Sequence, residues 1–278
     1  MLWQGRRESD NVEDRRGIGG GGLIAGGGIG AVIIGLLYFL LGGNPSDLQT
    51  QGSVQQQQTR SAPRSAAEDK LASFSRVVLA DTEDVWAQIF KEHGETYSEP
   101  TLVLFTRQTQ SGCGFSSAAT GPFYCPADQK VYLDLSFFSE LQDRFHAPGE
   151  FAMAYVIAHE VGHHIQKLLG TMDQVDQQRQ NLSESGANKL SVKLELQADF
   201  YAGVWAHYDQ KMKNVLENGD IESALNAANA IGDDRLQQQS QGYVVPDAFT
   251  HGTSQQRMYW FKKGFETGDI KQGTTFSQ

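Results

Sequence analysis

Apolar positions fall along this chain in blocks of different period. Residues 23–41 form a near-continuous apolar run with no charge inside it. As a helix such a run is about 28 Å long, close to the thickness of a bilayer core. From residue 66 onward the pattern becomes that of a globular domain. Leu71, Phe74, Val77, Val78 and Leu79 predict one helix, and Thr82 is placed to cap a second through Val85, Trp86, Ile89 and Phe90 to Gly94. Residues 100–105 and 130–135 alternate as strands. A helix then follows Pro148, with Phe151, Tyr155, Val156, Ile165, Leu168 and Leu169 on its buried side and Gly170 at its end. Another spans 190–203, a third 221–231, and a closing helix capped by Thr253 or Ser254 carries Met258, Tyr259, Trp260, Phe261 and Phe265. The expected architecture is α+β, a mainly helical domain with a small β-sheet, preceded by one transmembrane helix.

Charge refines the organisation. The 278 residues carry a net charge of −10, which fits one ordinary domain with appendages and argues against nucleic acid as a partner. Residues 1–16 hold four Arg and four acids and show no pattern of order. Arg15 and Arg16 flank the apolar run, and the next basic residue is Arg60. The positive-inside rule then makes residues 1–16 a cytoplasmic tail and 17–43 a single-pass span of the cytoplasmic membrane. A polar linker follows over 44–65, and the domain, 66–278, lies on the periplasmic or extracellular side. A cleaved signal peptide would have a shorter apolar core with an A-x-A site after it. Gly22, Gly26 and Gly30 are spaced to pack two such helices together, a route to a homo-oligomer. Cys113 and Cys125 are the only cysteines, and an even pair outside the cytoplasm predicts a disulfide between them.

The chemistry sits in residues 158–164, Ala-His-Glu-Val-Gly-His-His. On a helix His159 and His163 stand at i and i+4 on one face, so both imidazoles can reach one metal ion. Glu160 follows the first, beside the position left for water, where it can take a proton. His164 points about 100° away from His163 around the helix and is excluded from the set. The 190–203 helix supplies a second i, i+4 pair, Glu195 and Asp199. Carboxylates in so apolar a helix need partners. Glu195 is the candidate third ligand of one Zn2+ ion, and Asp199 the acceptor for the outer ring N–H of a ligand histidine. His251, just ahead of the closing helix, is a candidate donor to an oxyanion, or a structural histidine. Arg257 either assists it or pairs with Asp199 or Asp247. His93, in the last turn of its helix, suits a capping role, and His146 and His207 default to structure or surface.

H-E-x-x-H followed by E-x-x-x-D resembles the gluzincin class of zinc peptidases, to which thermolysin belongs. More narrowly, residues 111–114, 121–126, 131–134, 158–164, 195–203 and 249–257 resemble the bacterial neutral zinc metallopeptidases, a family with an N-terminal membrane segment. The resemblance implies a zinc-dependent peptidase acting on a peptide or protein, with Glu160 as general base. It also implies a strand beside the metal that pairs with extended substrate. Residues 131–135 are the candidate strand, with Tyr132 and Asp134 as substrate-binding residues, unless that strand is interior. Metzincins are excluded, because Gln166 and Leu169 stand where that pattern needs Gly and His. Two rival readings are a membrane-anchored binding or scaffold protein with a structural or vestigial metal site, and a zinc amidase acting on cell-wall material.

Overall fold

The computed structural model describes residues 1–17 and 65–277. Apart from Gly17 and Ser65, the expected membrane span, its glycine pairs and the linker lie outside the described residues. Among the described residues no helix is long and apolar enough to cross a membrane. They form eight α-helices and six short strands, in agreement with a mainly helical α+β domain.

The first helix, α1 (Ala66–Glu92), is continuous where two were expected. Ser65 caps it, accepting from the Glu68 amide while the Glu68 carboxylate accepts from the Ser65 amide. Thr82 caps nothing; its hydroxyl donates to the Leu79 carbonyl inside the helix. With no Gly or Pro between the two apolar blocks, nothing interrupts the helix. His93 closes it, its ring on the Ile89 carbonyl, as expected of a capping histidine.

Strands β1 (Val12–Asp14), β2 (Thr101–Phe105), β5 (Phe123–Cys125) and β6 (Lys130–Asp134) make one sheet in the order β1-β2-β6-β5. β1 and β6 both run parallel to β2, and β5 antiparallel to β6. Strands β3 (Gln108–Ser111) and β4 (Gly114–Ser117) form a separate hairpin. The disulfide between Cys113 and Cys125 ties its tip to β5.

Residues 1–16 are not the unordered tail that their composition suggests. Trp3 packs edge-on against Phe74, and Val12 is in register with Leu102. The four arginines have partners in the domain: Arg6 on Asp81, Arg7 on Glu83 and Asp84, Arg15 on the Gln110 carbonyl, Arg16 on Asp69 and the Glu68 carbonyl. Those partners lie 52 to 95 residues away in sequence. A polar segment acquires order here by pairing charge with distant charge, which no local periodicity reveals.

The functional end is built from α3 (Glu150–Leu168), α5 (Glu184–Lys213) and α8 (Ser254–Thr267). Short helices α2 (Ser136–Asp143) and α4 (Thr171–Arg179) precede α3 and α5, and α6 (Asp220–Ala230) and α7 (Asp233–Gln241) precede α8. Helix α3 begins two residues after Pro148, and Gly170, at φ 74°, ends it. Phe151 stacks on Trp205 and Tyr155 meets Phe261 edge-on, locking the three helices together. Each such buried aromatic stabilises by about 1.5–3 kcal/mol. Thr253 caps α8 with Gln256 in a reciprocal box, as the sequence suggests.

Candidate metal centre

His159 and His163 lie on consecutive turns of α3, and Glu195 faces them from α5. The ligand atoms of these three residues lie within 4.8 Å of one another. The two helices can approach so closely because residue 162 is a glycine. A Cβ there would lie 2.9 Å from the Ala198 carbonyl oxygen, and α5 would have to move away.

The orientation of each ligand is set from behind. Asp199 Oδ1 accepts from His159 Nδ1 at 2.8 Å, as the i, i+4 spacing with Glu195 predicts. Gln166 Oε1 accepts from His163 Nδ1 at 2.9 Å, while its amide donates to the Leu194 carbonyl on α5. Both imidazoles thereby turn Nε2 toward Glu195, at 3.1 Å for His159 and 3.5 Å for His163. Two neutral imidazole nitrogens and a carboxylate, converging with their outer atoms already engaged, are a donor set that suits zinc and leaves a position for water. The residues present fit the ion.

Electrostatics show what a cation would replace. Burial by itself lowers an imidazole pKa, but Asp199 and Glu195 outweigh it and lift His159 to about 10. His163 is raised in the same way, against its own burial, by Glu195. Burial likewise opposes ionisation of Asp199, yet Arg257 and His159 hold it near 2. Glu195 is kept well below the usual carboxylate range by the positive charge of His163 and His251, again in spite of burial.

Arg257 takes the structural alternative. It is buried and grips Asp199 with two hydrogen bonds, Nε to Oδ2 at 2.8 Å and Nη2 to Oδ1 at 3.0 Å. Tyr155 completes the group by donating to Asp199 Oδ1. With Asp199 and the Ile231 carbonyl as its partners, Arg257 is committed to the support of His159.

His251 is held by an acid. Asp233 Oδ2 accepts from the amides of Thr250, His251 and Gly252, and its Oδ1 lies 3.1 Å from His251 Nδ1. Asp233 and Glu195 raise the His251 pKa, overcoming the burial that would lower it. Nε2 of His251 has no hydrogen-bond partner among the described residues. Glu160, on the turn between the two histidines, is buried, acts electrostatically on His163 and has no hydrogen bond there either.

Three of these supports went unread in the sequence: Tyr155, Gln166 and Asp233. Gln166 sits at i+3 from His163 and Tyr155 at i−4 from His159, a helical relation that could have exposed both. Asp233 is brought to His251 only by the chain's return after α7.

Tyr132 and Asp134, expected to meet substrate unless their strand is interior, are both engaged within the domain. Strand β6 is interior, paired with β2 along its whole length and with β5 over Lys130–Tyr132, so at Tyr132 it offers no edge to a substrate. The Tyr132 hydroxyl donates to Asp128 and its ring stacks on Phe123. Asp134 accepts from the amides of Arg107 and Ser136. The two edge strands of the described sheet are β1 and β5, and it is β5 that lies against the helix carrying His159 and His163. β5 touches that helix through the Tyr124 hydroxyl, 3.1 Å from Nδ1 of His164, itself buried and bonded to the Ser98 carbonyl.

The family described as "Putative neutral zinc metallopeptidase" matches residues 1–276. The chain belongs to this family. Among its relatives, "Uncharacterized protein YpfJ" of Escherichia coli strain K12 is 54% identical over 288 aligned residues, covering 100% of this chain and 99% of the relative. "Uncharacterized protein Rv2575" of Mycobacterium tuberculosis is 45% identical over 191 residues, covering 65% of this chain and 64% of its own. No solved structure matches the chain.

Proposed function

We propose that this protein is a zinc-dependent metallopeptidase, with His159, His163 and Glu195 holding one zinc ion and Glu160 serving as general base. The observation that carries the reading is the convergence of those three ligands beside a buried carboxylate with no hydrogen bond of its own. A structural metal site would need no such carboxylate. The bound zinc would supply Lewis acidity to the scissile carbonyl and bring the pKa of a water toward neutrality. Glu160 takes the proton from the attacking water and delivers it to the leaving amine. His251, held through Nδ1 by Asp233, presents Nε2–H to the oxyanion formed at the carbonyl. Asp199, Arg257, Tyr155 and Gln166 keep the two imidazoles in the required tautomer and direction. Extended substrate would pair along β5 by main-chain hydrogen bonds, since β6 is enclosed.

The apolar run within 17–43 supports attachment to a membrane. The Cys113–Cys125 bond supports a domain on its oxidising side. A zinc amidase on cell-wall material shares every residue named so far and differs only in substrate.

The test compares the full chain with Glu160→Gln for zinc content and for cleavage of casein or peptides. The variant keeps its zinc and loses cleavage. Equal cleavage by both would remove Glu160 as the base. A zinc-loaded wild type that cleaves peptidoglycan fragments and no peptide would favour the amidase.

A further inference from the structure

The first seventeen residues carry an inference that is independent of the chemistry at the metal centre. They are woven into the domain by three kinds of contact. Strand β1 pairs along β2, with Val12, Glu13 and Asp14 in register with Leu102, Val103 and Leu104. Trp3 is buried against Phe74 of α1. Each of the four arginines reaches a domain group, and one of those groups, Asp81, is almost fully buried with Arg6 Nη2 at 2.5 Å and Lys213 Nζ at 2.7 Å. A carboxylate so enclosed needs its cations.

This arrangement conflicts with a single membrane crossing between residues 17 and 65. Such a crossing would put β1 and β2 on opposite faces of a bilayer, about 30 Å of hydrocarbon apart. Yet Arg16 Nη1 donates at 3.0 Å to the carbonyl of Glu68, so the two described ends that flank 18–64 meet on one body. The arginines counted as a cytoplasmic flank, Arg15 and Arg16, are engaged with Glu13, Asp14, Asp69 and main-chain carbonyls of the domain. They are therefore poor evidence for which side the N-terminal segment occupies. Docking onto a second copy of the chain would impose the same condition. A return to the starting side takes an even number of crossings. Two crossings need about forty apolar residues, twice what the 23–41 run provides.

We propose that residues 1–17 and the metal-bearing domain occupy the same compartment, outside the cytoplasm, and that the 23–41 run does not carry the chain once across the membrane. The side is argued from the Cys113–Cys125 disulfide, a bond that persists in oxidising compartments.

The experiment uses the full chain in spheroplasts of a bacterial host, with single cysteines introduced at two exposed positions, Gln4→Cys and Gln239→Cys. A membrane-impermeant maleimide is applied before and after permeabilisation. The wild type, whose own cysteines are bonded to each other, serves as the blank. Both positions are expected to label fully before permeabilisation. Labelling of Gln239→Cys before and Gln4→Cys only after permeabilisation would restore the single crossing and overturn the proposal. Labelling of both only after permeabilisation would place the whole body in the cytoplasm and overturn it equally.

Discussion

Gly162 and Ala198 are in backbone contact: the Cβ that Gly162 lacks would lie 2.9 Å from the Ala198 carbonyl oxygen and 3.1 Å from its Cα. This contact sets the spacing of α3 and α5, and with it the reach of Glu195 to the imidazoles. Helical main chain on the far side cannot yield as a flexible side chain would. Gly162→Ala is therefore expected to destabilise the fold by about 1–3 kcal/mol. It should also weaken zinc binding by at least about tenfold. Denaturant unfolding and competition with a zinc chelator measure the two effects.

Arg257→Met leaves the buried Asp199 carboxylate without its bidentate partner. Breaking a buried pair from one side costs about 3–5 kcal/mol. Arg257→Lys recovers only part of this, because an ammonium cannot supply the two parallel donors that Nε and Nη2 provide. The free energy of unfolding of both variants checks the ordering, wild type above Lys above Met.

Metal removal and protonation should be linked. Without a cation, Asp199 and Glu195 hold His159 protonated at neutral pH. Zinc binding at pH 7 is expected to release protons, and the apparent affinity to rise with pH across the neutral range. Calorimetry in buffers of different ionisation enthalpy reads the number released. Chelation should abolish cleavage and lower the melting temperature while leaving the helical content in place, since the core does not depend on the site.

Asp209 gives a pH dependence remote from the metal. Burial, with the neighbouring Asp81 charge adding to it, pushes its carboxyl up to about 7. A folded-state pKa raised above the unfolded value of about 3.9 means that the folded form binds the extra proton. The contribution is fully present below about pH 4 and is lost as pH rises through about 7. Asp209→Asn should therefore gain on wild type as pH rises from about 4 to about 7, with the largest difference at about pH 8 and none below about pH 4. Melting temperatures of the two proteins across that range test the sign.

Much of the site is legible in the sequence because its geometry is local. His159 and His163, and Glu195 and Asp199, are each one helical turn apart, and a turn is readable from spacing alone. The caps at Thr253 and His93 are equally local, and the disulfide follows from a count of two. What escapes is what depends on strand order or on charges far apart in sequence. That β6 is interior follows from β2 and β5 on its two sides, and β1 was hidden in a segment whose arginines and acids look like a solvated tail. Asp233 reaches His251 across a loop that no periodicity describes. Thr82 misled because a good capping residue caps only where the helix has a reason to break.

The most direct test of the central claim is the equilibrium zinc affinity of the wild type against Glu195→Ala, measured by chelator competition on the full chain. The account predicts about one zinc per wild-type chain and a loss of about 100-fold or more in affinity when Glu195 is removed. A variant that bound zinc as tightly as the wild type would show that Glu195 does not hold the ion, and the proposed centre would be wrong.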